Sequence, residues 1–164
     1  MEKSLEKQFL EDILKSRGII IRICRIYRKD QADRDDLYQE IIMNAWNAYP
    51  RFKGLSKFST WLYKVALNTA LSENRKNKFF GLLSDLDIID NRPSIENHNE
   101  DTEMLYFAIE QLDPLEKSIA LMYLDDLPYK EMSKITGLTE NNIGVRLHRV
   151  KSKIKSILID YKRE

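Results

Sequence analysis

The last third of the chain carries an apolar repeat that only one kind of backbone satisfies. Ile143, Leu147, Val150, Ile154 and Ile157 recur at spacings of 4, 3, 4 and 3. That is the period of an α-helix with one buried stripe; a strand, whose side chains alternate, would scatter the same residues over both faces. Thr139 stands just before the repeat, where its hydroxyl can cap the first turn. Gly137, two residues earlier, offers the left-handed conformation that ends a preceding helix. That shorter helix is expected over Tyr129 to Thr136, with Leu138 turning the corner. Helix, tight glycine turn and second helix make a helix-turn-helix.

The helical period runs through most of the remaining chain. Leu37, Ile41, Ala45 and Ala48 form a stripe that Ile42, Trp46 and Tyr49 widen. Asp33, Asp35 and Asp36 open this helix, where the dipole favours acids, and Pro50 closes it. After the loop PRFKGLSKF, with Gly54 free to turn, a second helix is expected to start at Ser59 or Thr60. Its core face would be Leu62, Val65, Ala66 and Thr69. Further on, Leu105, Ala108, Ile109 and Leu112 make another stripe. Asp113 then caps a helix with Pro114 at its first position and Leu115, Ile119, Met122 and Tyr123 inside.

No segment reads convincingly as a strand, and there is no long repeat. The expected fold class is all-α: two small helical domains joined by a linker, the C-terminal one with the helix-turn-helix. The boundaries fall at 1–78, 79–101 (linker) and 102–164. The second half of the linker is polar and holds Pro93, whereas Phe79 to Ile89 is apolar enough to be expected to pack. No run of about 18 apolar residues is present, and MEKSLEKQFLEDILK lacks the apolar core of a signal peptide, so a cytoplasmic chain without membrane insertion is expected. Cys24 is the only cysteine and is read as a buried structural thiol.

The net charge of +1 conceals a strong polarity. Residues 51–78 carry seven Lys and Arg against one acid, and residues 141–164 carry seven against two. Between them, residues 84–113 carry nine acids against Arg92. Two basic blocks split by an acidic one suit two modules that bind a polyanion.

Each basic block has its own chemistry. In the last helix Asn142, Arg146, Arg149 and Lys153 follow one another at 4, 3 and 4 and are expected opposite the apolar stripe. Such a face can lie in the major groove, with early residues at base edges and later cations on phosphates; it also suits the solvated side of an ordinary bundle. The other block is unusually aromatic. With aromatics at 10% of the chain, fifteen residues would hold one or two, yet residues 49–63 hold Tyr49, Phe52, Phe58, Trp61 and Tyr63. Rings interleaved with cations suit single-stranded bases, which stack on rings while the backbone follows positive charge. Phe58 and Leu62 equally fit a buried pair, but Phe52, in a glycine-containing loop between Arg51 and Lys53, has no evident core to fill.

Enzyme chemistry has little to stand on. His98 and His148 are the only histidines, and neither nucleophile triad, metal-spaced ligand set nor phosphate loop is present. Asp33, Asp35, Asp36 and Glu40 lack the loop glycine and spacing of a calcium site, so neither metal nor cofactor is expected.

DLYQEIIMNAW, FKGLSKFSTWLYKVALNTALSENRK and YKEMSKITGLTENNIGVRLHRVKSKI, in that order, resemble the two blocks of an RNA polymerase sigma factor. The compact two-domain form resembles the extracytoplasmic-function group of the sigma-70 family. The resemblance implies that the helix bearing Asp36, Leu37, Gln39, Glu40 and Trp46 docks on core RNA polymerase. It implies that the loop Phe52, Lys53, Gly54, Leu55 and Ser56 captures a base flipped from the −10 promoter element, with Trp61 on the same surface. Asn68 would line the base pocket, and Lys64, Arg75 and Lys76 would hold the strand. On the terminal helix, Thr139, Asn142, Gly144, Val145, Arg146, Arg149 and Lys153 would meet the −35 element. The implied partners are core RNA polymerase, promoter DNA and an anti-sigma factor, and no catalysis by this chain is required.

One departure from the family pattern stands out. A basic residue and then Ser often follow the position of Ile143, where this chain has Gly144 and Val145. Gly144 would let the backbone approach DNA closely, and Val145 can touch a thymine methyl. The competing reading is a helix-turn-helix regulator with an N-terminal interaction domain.

Overall fold

The computed structural model describes residues 1–72 and 99–164. All regular structure among them is helical, as the spacing patterns require. They divide into two compact units, residues 1–24 with 28–72, and residues 25–27 with 99–164. The expected boundary at 78 and residues 79–98 of the expected linker, with Phe79 to Ile89, lie outside the described residues. Residues 99–101 do not belong to a linker. Asn99 caps a helix that begins at Glu100, its side chain accepting a hydrogen bond from the Asp101 N–H at 3.3 Å.

The first unit is built from α1 (Glu2–Tyr27), α2 (Gln31–Ala48) and α3 (Phe58–Leu71). Its core collects Phe9, Ile13, Ile20 and Ile23 of α1, Leu37, Ile41, Ile42 and Ala45 of α2, and Leu62, Tyr63, Ala66, Leu67 and Ala70 of α3. Cys24 is buried, and desolvation pushes its thiol up to about 12. Two hydrogen bonds tie α2 to α3: Asn44 Nδ2 donates to Thr69 Oγ1 at 3.0 Å, and that hydroxyl donates to the Val65 carbonyl at 2.8 Å. Thr69 is thereby satisfied although buried.

Two local expectations for this unit need correction. α3 starts at Phe58, after Lys57, with no side-chain cap, and Thr60 is buried rather than capping. A hydroxyl cap is worth about 1 kcal/mol; half-burying Phe58 contributes a similar amount by area, and its contacts with Tyr49, Phe52 and Trp61 add roughly 0.5–1.5 kcal/mol each. Starting the helix early lets Phe58 pack, and that wins. Val65 is only half-buried; Tyr63, Leu67 and Ala70 fill the face instead.

The second unit holds α4 (Glu100–Glu110), α5 (Pro114–Leu124), α6 (Tyr129–Thr136) and α7 (Glu140–Arg163). Asp113 and Glu116 form a reciprocal capping box at the start of α5: Asp113 Oδ1 accepts from the Glu116 N–H at 2.8 Å, and Glu116 Oε2 from the Asp113 N–H at 3.2 Å. Ile119 and Met122 are buried as expected, but Tyr123 is exposed, with the Lys151 ammonium 4.3 Å over its ring.

The turn between α6 and α7 closes on itself. Gly137 takes φ 76°, a left-handed conformation that glycine adopts without strain, and its N–H donates to the Ser133 carbonyl at 2.9 Å. Ser133 Oγ donates to the Leu138 carbonyl at 2.5 Å, and the Leu138 N–H donates to Thr136 Oγ1 at 3.2 Å. Thr139 Oγ1 then accepts from the Asn142 N–H at 3.1 Å, opening α7. Met132 and Ile135 of α6 meet Ile143, Leu147 and Val150 of α7 in the core, while Ile154 and Ile157 are half-buried. α7 outruns the expected end at Ile157 and reaches Arg163.

Candidate nucleic-acid and polymerase surfaces

The aromatic block folds into one platform. α2 ends at Ala48, and a single 3₁₀ turn over Tyr49–Arg51, with Pro50 inside it, reverses the chain. The Phe52 N–H donates to the Tyr49 carbonyl at 2.9 Å, which fixes where the Phe52 ring lands. That ring lies 5.1 Å from Trp61, 5.9 Å from Phe58 and 6.2 Å from Tyr49, centroid to centroid. Tyr49 in turn contacts Phe9 at 5.0 Å, and Phe9 contacts Trp46 at 5.1 Å. Six rings from α1, α2, the loop and α3 thus form one cluster. The Tyr49 hydroxyl donates to Asp12 Oδ2 at 2.9 Å, so the buried phenol is also anchored.

The expectation that Phe52 has no core to fill is therefore wrong. It is half-buried and packed on three other rings, because the turn at Pro50 folds the chain back over α3. What the loop presents instead is its tip. Lys53 and Gly54 are exposed, and Leu55 is 89% exposed. Gly54 has φ 69° with open space around its Cα. Leu55, part of the loop that the resemblance singles out, thus projects beside two lysines, Lys53 and Lys57.

α3 extends this surface. Trp61, Lys64, Asn68 and Leu71 follow at 3, 4 and 3, so they share one side of the helix. Lys64, Asn68 and Leu71 are exposed, Trp61 is half-buried at the platform, and Ser56 is half-buried in the loop. The side chains bring together a basic loop tip, a ring edge, a cation and an amide on one surface. Arg75 and Lys76, expected on the same surface, lie outside the described residues.

On α2 the expected polymerase face separates into two parts. Leu37 is 2% exposed and belongs to the core, so it can support this face but not touch a partner. Trp46 is half-buried against Phe9. Asp36 is exposed and Gln39 and Glu40 are half-buried. Asp36, Glu40, Met43 and Asn47 recur at 4, 3 and 4 on the side turned from the buried stripe. The period adds Met43 and Asn47 to the residues read from the sequence.

The face of α7 is also rotated from the one expected. At 100° per residue, Asn142, Arg146, Arg149 and Lys153 lie about a quarter turn to one side of the buried stripe rather than opposite it. Lys153 accordingly reaches α5 and forms an ion pair with Glu116. Arg146 Nε donates to Asn142 Oδ1 at 2.8 Å, so those two residues hold one another. The ridge turned from the core is Asn141, Val145 and Arg149, each four residues on from the last, and all three are exposed. Shallow depressions flank it. One is lined by Tyr129, Gly144 and His148, the other by Thr139, Asn142 and Arg146, and the ridge residues border both. Asn141, His148 and Tyr129 were not read from the sequence; a search for the residues 180° from Ile143 and Leu147 would have found the first two. Gly144 does not offer bare backbone to a ligand, because the Tyr129 ring lies over it: a Cβ there would stand 3.5 Å from Tyr129 Cε2.

Comparison with known proteins matches this division. Residues 13–80 match Sigma-70 region 2, and residues 102–154 match Sigma-70, region 4. Over 129 residues the chain is 30% identical to RNA polymerase sigma factor SigV of Bacillus subtilis (strain 168), covering 78% of this chain and 77% of that one. It is 28% identical over 141 residues to ECF RNA polymerase sigma-E factor of Escherichia coli (strain K12), covering 74% and 72%. Among solved structures, sigma factor RpoE in complex with the anti-sigma factor NepR from Bartonella quintana superposes with TM-score 0.72 at 20% identity, over 93% of this chain and 97% of that one. CnrH in complex with the cytosolic domain of CnrY gives TM-score 0.68 at 17% identity, over 94% and 90%. At those identities the two structures speak for the fold alone.

The chain belongs to the sigma-70 family of RNA polymerase sigma factors, in its extracytoplasmic-function group. It is a transcription initiation factor. A free-standing helix-turn-helix regulator would not account for the region 2 match over residues 13–80. Among the described residues no helix is long and apolar enough to cross a membrane.

Proposed function

We propose that this chain delivers core RNA polymerase to promoters, opens them at −10 and reads them at −35. The observation that carries the proposal is the loop tip Lys53–Gly54–Leu55 standing on a packed aromatic platform beside Trp61, Lys64 and Asn68. A base leaving the duplex loses a few kcal/mol of stacking and pairing; an exposed apolar tip, a ring edge and an amide can replace stacking and edge contacts, and the lysines hold the phosphates. Because Phe52 and Trp61 are already packed, little ordering is left to do when the base arrives.

Asp36, Gln39, Glu40 and Trp46, with Met43 and Asn47, form the polymerase-facing side of α2, held in place by Leu37. Thr139, Asn141, Asn142, Val145, Arg146 and Arg149 form the −35 surface of α7; Lys153, engaged by Glu116, contributes less than its charge implies. One structural neighbour is a sigma factor in complex with the anti-sigma factor NepR, which supports a partner of that kind here.

The test is run-off transcription by the chain reconstituted with core RNA polymerase, on a promoter the holoenzyme selects from a randomised duplex pool. Lys53→Ala with Leu55→Ala should lower initiation on the closed duplex about tenfold or more, given roughly 1–3 kcal/mol for one stacked base. A template with an unpaired −10 region should restore most of the loss. Equal loss on both templates, or none on either, would remove the loop tip from promoter opening.

A further inference from the structure

The head of α7 carries an apolar surface that its basic neighbours do not explain. Val145 is 47% exposed on the ridge, and Tyr129, at the first position of α6, is 41% exposed beside it. Both border the same shallow depression, together with Gly144. The Tyr129 ring lies beside Gly144, where a Cβ would stand in ordinary contact at 3.5 Å from Tyr129 Cε2. A ring edge and an isopropyl group thus border one depression, rimmed by Glu140, Asn141, His148 and Arg149. Two exposed apolar side chains on a surface that otherwise offers charge and amides need an apolar complement. In the major groove only one exists: the 5-methyl group of thymine.

We propose that Tyr129 is a specificity-determining residue which, with Val145, encloses a thymine methyl group of the −35 element. The proposal rests on α7 reading duplex DNA, and adds to it which base is read and by which residue outside the recognition helix. Asn141 and Arg149, on either side of Val145, fix the register by polar contact; Tyr129 and Val145 supply the discrimination. Enclosing one methyl group is worth about a threefold to fivefold change in affinity on the usual area scale, so the effect is modest and confined to one base pair.

The experiment uses the full chain assembled with core RNA polymerase. Duplexes are enriched from a randomised pool, and each thymine of the enriched −35 sequence is replaced in turn by deoxyuridine, which removes only the methyl group. One replacement should weaken binding by about threefold to fivefold. Tyr129→Ala and Val145→Ala should each bring that ratio near one without altering the salt dependence of binding. Tyr129→Phe, which keeps the ring, should retain discrimination, and thermal unfolding of all three variants should stay near wild type. A ratio near one at every thymine in the wild-type holoenzyme, or a ratio unchanged in both Tyr129→Ala and Val145→Ala, overturns the methyl contact while leaving −35 reading intact. If no sequence is enriched, or no thymine occurs among its −35 positions, the inference falls; the former outcome also removes the reading it rests on.

Discussion

The two nucleic-acid surfaces are built on opposite plans. The loop after α2 presents its functional tip by burying everything around it: Phe52, Phe58, Trp61 and Tyr49 pack together, and only Lys53, Gly54, Leu55 and Lys57 project. α7 presents a face of regular helix whose orientation is fixed by three buried residues, Ile143, Leu147 and Val150. A loop surface is only as rigid as what it stands on, so its support and its function share residues. A helix face separates the two by 180°, so its exposed residues can change without loss of fold. Substitutions at the platform should therefore cost stability and activity together, and substitutions on the exposed ridge of α7 should cost affinity alone.

The largest expected effect breaks the comparison at the platform. Phe52→Ala removes a half-buried ring from contact with three others and should destabilise the first unit by about 2 kcal/mol, somewhat under the 3–5 kcal/mol typical of fully buried Phe→Ala changes. Transcription should fall on both closed and pre-opened templates. Thermal unfolding followed by circular dichroism separates this from Leu55→Ala, which should unfold like wild type. A Phe52→Ala protein of unaltered stability would mean the ring is held less firmly than the geometry requires.

The next effect sharpens the comparison on α7. Arg149→Ala should weaken binding to duplex promoter DNA by about 1–2 kcal/mol, and lower the salt slope by about one unit if the contact is a phosphate. Lys153→Ala should change the slope far less, because Glu116 already compensates its charge. Equal slopes for the two variants would show that the ion pair opens on DNA.

Thr139→Ala tests whether the head of the helix is independently anchored. Loss of the cap on the Asn142 N–H should cost about 1 kcal/mol of stability in the second unit and nothing in the first. Differential proteolysis of the two units would detect a difference of that kind.

The last effect is confined to alkaline pH. Burial raises the folded-state pKa of Cys24 to about 12 from the ordinary value of 9.0. Its folded pKa lies above the unfolded one, so this contribution to stability is whole below about pH 9 and is lost as pH rises toward 12. Cys24→Ala should flatten the alkaline limb of the stability profile relative to neutral pH. An unchanged limb would place the alkaline loss elsewhere.

Sequence by itself determined the helices from α2 onward, some of their ends and the family, whereas α1 emerged only in the structure. The 4-3-4-3 spacing on α7, Gly137, Thr139 and the Asp113–Pro114 pair were all read correctly, because period, left-handed glycine and side-chain caps are local physics acting within one turn of backbone. Residues 73–98, including Arg75 and Lys76, are read from sequence alone. Only the tertiary structure decided where Phe52 points, because its ring is positioned by Phe58 and Trp61 across a reversal that begins at Pro50. Only it decided that α3 dispenses with a cap, that Lys153 answers to Glu116, and that Tyr129 covers Gly144. Each of these outcomes is a contest between groups distant in sequence. Burying a ring contributes roughly 1.5–3 kcal/mol, more than the local preferences of about 1 kcal/mol that a sequence displays.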